Sequence, residues 1–233
     1  MNPKRLKRFA LACFSVGALS AVLLYADESA TTRLKTSAEV LTEIMATPDQ
    51  GIPQELLENA QCIVIVPGMK KAAFIVGGNY GRGFMLCRLS SGSGWSAPAG
   101  VKMEGGSFGF QIGGSETDVI MLVMNKRGAE KLLTSKFTLG ADASVAAGPV
   151  GRTSSADTDL KMHAEILSYS RSRGAFAGIS LKGATLRPDK DANAELYGTK
   201  LTNTQIVNGN KTNANVAGSE LTAALNKCSL RKE

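Results

Sequence analysis

Residues 62–89, CIVIVPGMKKAAFIVGGNYGRGFMLCRL, decide the fold of this 233-residue chain. β-branched and other apolar residues form three short runs, and glycine, proline and asparagine separate the runs. The runs predict buried strands at Cys62–Val66, Ala72–Gly78 and Gly83–Leu89. Pro67-Gly68 and Asn79-Tyr80-Gly81 are expected to form turns between these strands. The middle of the chain is therefore predicted to be a β-sheet.

The sheet is predicted to continue toward the C-terminus. Residues 105–114 are glycine-rich, yet Phe108, Phe110 and Ile112 alternate with other residues, which indicates a strand where backbones approach closely or the sheet bends. Residues 118–125 predict a further strand, and residues 126–134 predict a short helix. Residues 160–170 also alternate, and we expect them to pair with residues 175–181 through a turn at Arg173-Gly174.

Helices are expected near both ends of the chain. Apolar residues recur at spacings of three and four over residues 31–46, with Thr31 or Thr32 as the N-cap. Further helices are predicted over residues 53–60, 189–197 and 218–228. The expected fold class is α+β: a strongly bent, mainly antiparallel, barrel-like sheet with helices from both chain ends packed against it.

The first 26 residues have the layout of a secretory signal peptide. Four cations precede an uncharged run from Phe9 to Ala26, and Ala26 suits a cleavage site. The run of about 18 residues also fits an uncleaved membrane anchor, so both alternatives stay open. We expect an exported protein, periplasmic or envelope-associated, with a single domain over residues 27–233 and a C-terminal helical extension from about residue 199.

The net charge of the chain does not indicate a nucleic-acid partner. The net charge is +7, and removal of the four signal-peptide cations lowers it to +3, so a nucleic-acid partner is not expected.

Three cysteines remain after the signal peptide, Cys62, Cys87 and Cys228, and they are too few for a disulfide framework. Cys62 and Cys87 lie in apolar runs, so buried thiols are one alternative. One disulfide with a leftover thiol, formed in an oxidising periplasm, is the other.

Sequence motifs of catalysis and metal binding are not found. His163 is the one histidine, and no cysteine or histidine cluster has zinc spacing. The glycine clusters match neither a phosphate-binding loop nor a dinucleotide-binding motif, and no serine lies in a nucleophile elbow. We therefore expect no metal, no cofactor and no enzymatic activity. Asp118 is expected to accept backbone N–H groups from a tight turn.

Several segments, taken in order, resemble the SYLF domain family over about residues 34–198. They are AQCIVIVP (60–67), KAAFIVGGNYGRG (71–83), WSAP (95–98), FQIGGSETDVIMLVMN (110–125), LGADASVAAGPVGR (139–152), ILSYSRSRGAFAGISL (166–181) and NAELYG (193–198). Each segment is weak by itself, but their number and order make the resemblance specific.

The resemblance implies membrane lipid binding, which includes phosphoinositides in eukaryotic members, and actin binding in some fungal members. An exported bacterial protein meets neither actin nor, ordinarily, phosphoinositides. The implied function is therefore a non-enzymatic domain of the bacterial cell envelope that binds anionic phospholipid or another amphiphile, without catalytic residues. The alternative is a periplasmic scaffold or protein-interaction module without a lipid ligand.

Cations of the first helix and of the predicted turns are the candidate lipid-binding residues. Helix 31–46 is expected either at a membrane interface, with its cations toward the headgroups, or packed on the domain's own core. The turn cations would form a basic patch for anionic headgroups if the turns share one face. The candidate set is Arg33, Lys35, Lys70, Lys71, Arg82, Arg171 and Arg173.

Overall fold

The structure is a computed structural model. It describes residues 28–47, 51–74, 76–90, 94–108, 113–150, 164–172, 175–179, 181–209 and 219–229. The predicted signal peptide, His163 and Arg173 lie outside the described residues. No helix among the described residues is both long and apolar enough to cross a membrane.

The helices and strands follow the predicted order, and the structure adds short strands and a helix that the sequence pattern does not predict. Within the described ranges the helices are α1 (Ala30–Met45), α2 (Gln54–Asn59), α3 (Lys126–Leu132), α4 (Lys190–Tyr197), α5 (Asn203–Val207) and α6 (Ser219–Cys228). The strands are β1 (Cys62–Phe74), β2 (Val76–Cys87), β3 (Ala99–Phe108), β4 (Gly113–Val123), β5 (Phe137–Thr138), β6 (Val145–Ala147), β7 (Ile166–Ser172), β8 (Ala175–Gly178) and β9 (Thr185–Pro188).

The strands form one open, strongly curled sheet. Its order in the described part of the chain is β5-β9-β3-β2-β1-β4-β7-β6, with β8 also paired to β7. The pairs are antiparallel except for the parallel pair of β6 and β7. Helices from both chain ends pack on the sheet, so the predicted fold class is confirmed. The expected pairing of residues 160–170 with residues 175–181 is confirmed where it is described, between β7 and β8.

The predicted turns inside residues 62–89 are wrong. Lys70 and Lys71 lie within β1, and Asn79, Tyr80 and Arg82 lie within β2. β1 continues through Pro67-Gly68 as a β-bulge, because one extra residue is accommodated between Ile65 and Lys70 relative to β2. Arg171 likewise lies within β7 rather than in a turn.

Gly68 permits this bulge. Its φ of 57° lies in the left-handed region that favours glycine. The carboxylate Oδ1 of Asp118 accepts a hydrogen bond from the Gly68 N–H at 2.9 Å. The expected structural role of Asp118 is therefore confirmed, although the backbone group it binds belongs to a bulge and not to a turn.

The glycine-rich segment at residues 105–114 is not one strand. β3 ends at Phe108 and β4 begins at Gly113, so its two halves belong to two strands that β2 and β1 separate in the sheet. β3 begins at Ala99, where the sequence pattern did not predict a strand.

Both faces of the central sheet are buried at the start of β1, the end of β2 and the end of β4. Side chains of α1, α2 and α6, such as Leu41, Leu57 and Leu225, pack on one face against Ile63, Ile65 and Phe84. We call this the helix face. The opposite face packs Val64, Met85 and Met121 against residues from the β5–β9 edge and from α5. Since neighbouring strand residues alternate between the faces, both cores come from the same apolar runs.

A disulfide closes the central hairpin, which consists of β1 and β2, at the end that carries Cys62 and Cys87. We call this end the basal end. These residues lie opposite each other at the start of β1 and the end of β2, and they form a disulfide. Of the two alternatives for the cysteines, the structure has one disulfide with a leftover thiol, Cys228. Burial of Cys228 raises the pKa of its thiol, although the nearby Lys227 opposes this effect.

Candidate functional site

The four central strands extend to a distal end, opposite the disulfide. It comprises Lys70–Phe74, Val76–Tyr80, 104–108 and 113–116, from β1, β2, β3 and β4. Residues of the four strands lie side by side in rows. Glu116, Lys70, Tyr80 and Glu104 form one row, and Gly114, Ala72, Gly78 and Gly106 form another nearer the tip.

Lys70 and Lys71 are the candidate cations that the structure places together at the distal end. Lys70 is exposed and Lys71 is half-buried. Because consecutive strand residues face opposite sides, Lys70 lies on the helix face with Tyr80, and Lys71 lies on the opposite face with Asn79. The two charges therefore flank the distal end from both sides of the sheet.

Arg82 lies in a buried ionic cluster. Its Nε is 2.5 Å from Oδ2 of Asp189, which is fully buried at the N-cap of α4. Lys102 Nζ lies 3.4 Å from Asp189 and 3.1 Å from Asp191. Burial acts to raise the pKa of Asp189, but the Arg82 hydrogen bond, the Ala192 N–H and the nearby cations outweigh it, so the pKa is lowered. Arg82 is thus engaged in holding α4 against the sheet.

Arg171 joins three elements through ion pairs. Its Nε lies 2.6 Å from Oδ2 of Asp118 in β4, and its Nη1 pairs with Glu43 of α1. Asp118 in turn binds the Gly68 bulge of β1. Arg171 therefore connects α1, β4 and β7 on the helix face.

The two candidate cations of α1 differ in exposure. Arg33 is only 4% exposed and donates a hydrogen bond from Nη2 to the Glu28 carbonyl, whereas Lys35 is exposed. The apolar stripe of α1, which includes Leu34, Leu41 and Ile44, is buried in the core of the helix face. Of the two alternatives for this helix, the structure has it packed on its own domain. Ser29, not Thr31 or Thr32, caps α1.

Tyr80 is a surface feature that the sequence analysis missed. It is 47% exposed, and Leu89, just beyond the basal end of β2, is 41% exposed. Tyr80 was assigned to a turn because asparagine and glycine flank it. The alternation of Tyr80, Arg82 and Phe84 could have placed it on the helix face of a continuous strand.

The sequence matches a known family. The family model described as "Ysc84: Las17-binding protein actin regulator" matches residues 104–228, more than half of the chain. The chain belongs to the SYLF, or Ysc84, family. The matched region extends past residue 198, so the family similarity includes the C-terminal helices α5 and α6, which the sequence analysis left outside it.

SYLF relatives with curated names come from fungi and animals. An SH3 domain-containing protein of Schizosaccharomyces pombe is 37% identical over 161 residues, which is 68% of this chain and 37% of that protein. The SH3 domain-containing YSC84-like protein 1 of Xenopus laevis is 36% identical over 152 residues, 65% of this chain and 45% of that protein. LAS seventeen-binding protein 3 of Saccharomyces cerevisiae is 34% identical over 165 residues, 69% of this chain and 35% of that protein. The chain thus matches between about a third and a half of the length of these relatives.

In the described part of this SYLF domain, no three histidine, cysteine, aspartate or glutamate side chains form a group that could hold a metal ion. The ionic clusters around Asp189 and Asp118 instead join helices to the sheet. At the distal end, the described surface has an exposed lysine, Lys70, and an exposed tyrosine, Tyr80.

Proposed function

We propose that this SYLF domain is a non-enzymatic lipid-binding module of the bacterial cell envelope, with an anionic phospholipid or another amphiphile as its ligand. The observation that carries the proposal is the distal end. There the exposed Lys70 and the half-buried Lys71 lie in β1 directly before residues 72–76, whose sequence, AAFIV, is wholly apolar. Cations beside apolar residues are the composition that anionic membrane surfaces attract.

Two features support a location outside the cytoplasm. The N-terminal sequence has the layout of a secretory signal. The disulfide between Cys62 and Cys87 is of a kind that persists in the oxidising periplasm and is rare in the reducing cytosol. Anionic phospholipid is the ligand that such an envelope protein meets, and each lysine near an anionic surface contributes about 1 kcal/mol of binding free energy.

The experiment is co-sedimentation of the mature protein with anionic vesicles of phosphatidylglycerol and phosphatidylcholine at about 0.1 M salt. The variant Lys70→Glu/Lys71→Glu is expected to bind about tenfold or more weakly, since two attractive charges become repulsive. The matched control is Lys126→Glu/Lys136→Glu, which changes two exposed lysines away from the distal end by the same net charge. We expect the control to stay close to wild type.

Equal binding by the two double variants would show that the lysines act only through net charge, which contradicts the proposed site. Wild-type protein that binds no vesicle would contradict lipid binding itself. In that case the second candidate function, a protein-interaction module, is favoured. Its support is the family description as Las17-binding and the name of LAS seventeen-binding protein 3.

A further inference from the structure

We propose that the distal end enters the apolar part of the bilayer, with Tyr80 at the level of the headgroups. This inference rests on the proposed function and adds how the domain docks. It also makes a different prediction, because docking by apolar insertion persists on neutral vesicles and at salt concentrations that screen lysine–headgroup attraction.

The first argument is the register of apolar residues at the tip. Phe74 pairs with Val76 at the end of the β1–β2 hairpin, and Val76 pairs with Phe108 of β3. The neighbouring row contains Gly113, Ala73, Gly77 and Ser107, which carry no charge. An uncharged and mostly apolar end of the four strands lowers the cost of leaving water.

The second argument is hydrogen bonding. Strands β1 and β2 each have a paired strand on both sides along the distal end, so their backbone N–H and C=O groups are bonded within the sheet. An unpaired backbone group is costly in hydrocarbon, and strand pairing on both sides removes that cost for the hairpin. A paired hairpin is therefore better suited to insertion than an irregular loop of the same composition.

The third argument is that no described residue covers the helix face at Gly78 and Gly106. A methyl group placed on Gly78 or Gly106 would meet no atom within 4 Å. Nearer the base, a methyl group on Gly100 would lie 2.9 Å from the Asp189 carbonyl and 3.0 Å from Ala192 of α4. Among the described residues, helix α4 thus covers Gly100 but no helix covers Gly106, and the strands continue to Phe108 and Phe74.

The fourth argument is the row that borders this uncovered part. Tyr80 is exposed and lies between Lys70 and Glu104 in register. Glu104 has Arg187 at 3.7 Å, which partly offsets its charge. Tyrosine is enriched where an apolar region meets water, because its ring is apolar and its hydroxyl is polar. The row therefore has the composition of a headgroup-level border.

The first helix is not an alternative docking element. Its apolar side chains Leu34, Leu41 and Ile44 are buried, so they would have to leave the core to reach a membrane. The distal end reaches a membrane without any such rearrangement.

The test uses a pair of tryptophan reporters. Tyr80→Trp places an indole at the distal row, and Leu89→Trp places one at a similarly exposed position beyond the basal end. Trp95, the single native tryptophan, is buried at the basal end and gives the same background in both variants. Neutral phosphatidylcholine vesicles, with and without brominated acyl chains, are added in about 0.5 M salt.

We expect the Tyr80→Trp emission to shift to shorter wavelength and to be quenched by the brominated lipid, and the Leu89→Trp emission to stay unchanged. In a second arm, Phe74→Asp is expected to reduce binding to neutral vesicles about tenfold or more, whereas Leu89→Asp is not. Binding without any response at Tyr80→Trp overturns the insertion and leaves the proposed function standing. If neither anionic nor neutral vesicles bind the wild type, the proposed function itself fails.

Discussion

At the scale of single residues, the sequence pattern predicts the wrong local structure where a turn-forming residue lies within a strand. Pro67-Gly68 normally ends a strand, yet β1 passes through it because the Asp118 carboxylate binds the Gly68 N–H. A methyl group on Gly83 of β2 would lie 1.9 Å from the Ile65 carbonyl oxygen, so this glycine allows close approach of the two strands. These glycines shape a bend within the sheet, and they do not separate short strands.

Asp189 gives a pH-dependent contribution to stability. Its folded pKa is lowered, so its ion pairs stabilise the fold above the unfolded pKa of about 4. That stabilisation is lost as the pH falls through the folded pKa, because the folded state must then take up the proton. We expect the free energy of unfolding of Asp189→Asn to be about 3 kcal/mol lower than that of wild type at pH 7. We expect this gap to shrink toward pH 2.

The measurement is urea denaturation of both proteins at several pH values between 7 and 2. Asparagine can still cap α4, so the comparison isolates the charge of Asp189 from its capping hydrogen bond. Asp191→Asn, a change at an exposed neighbour, is the control and should shift stability little. A gap that stays constant with pH would contradict the assigned role of the carboxylate.

At the scale of elements, the β1–β2 hairpin joins the two longest of the described strands and is fixed at its base by the disulfide. The cysteines are 25 residues apart in sequence and directly opposite in register. The disulfide therefore limits the unfolded chain across the whole hairpin, including the bulge and the distal end.

Removal of this disulfide is expected to destabilise the mature protein by about 3 kcal/mol, from the chain entropy of a loop of this size. The variant Cys62→Ala/Cys87→Ala is compared with wild type by denaturant unfolding under oxidising conditions. Cys228→Ala is the control, since Cys228 lies in α6 and is not in the disulfide. If reducing agent lowers the stability of the double variant as much as that of wild type, the assignment of the stabilisation to this disulfide is wrong.

At the scale of the whole molecule, Arg88 holds the two ends of the domain together. Its Nη2 donates to the carbonyls of Leu57 and Glu58 in α2 and of Ser229 after α6. Its guanidinium also lies 4.1 Å from the centre of the Trp95 ring, whose Nε1 donates to the Ser229 hydroxyl. The C-terminal helix is thus attached to the basal end of the sheet beside α2.

Arg88→Ala is expected to loosen α6 locally. Loss of these charge-assisted hydrogen bonds costs about 2 kcal/mol, so amide hydrogen exchange in α6 should become about tenfold or more faster. Arg127→Ala is the control because Arg127 is mostly exposed and lies 3.8 Å from Glu165. Unchanged exchange in α6, measured by mass spectrometry, would show that other contacts dominate its attachment.

The sequence predicted which residue types the candidate site contains, but not where each of these residues lies in the fold. Lys70 and Lys71 stood out beside an apolar run, and the structure places them at the distal end of the sheet. Arg82 and Arg171 looked equivalent in sequence, yet their partners Asp189 and Asp118 are 107 and 53 residues away. No local pattern predicts contacts over such separations, and these contacts decide whether a cation lies in a buried ion pair.

The sequence by itself determined that residues 62–89 form β-structure, that helices lie toward both ends and that the class is α+β, because periods of two and of three to four are local properties. The tertiary structure alone decided that Pro67-Gly68 is a bulge, that the stripe of α1 faces the core, and that Cys62 lies opposite Cys87. Each of these depends on which distant backbone or side chain occupies the adjacent space. The same long-range packing decides that, within the described ranges, helix α4 lies against Gly100 and no atom lies close to Gly106.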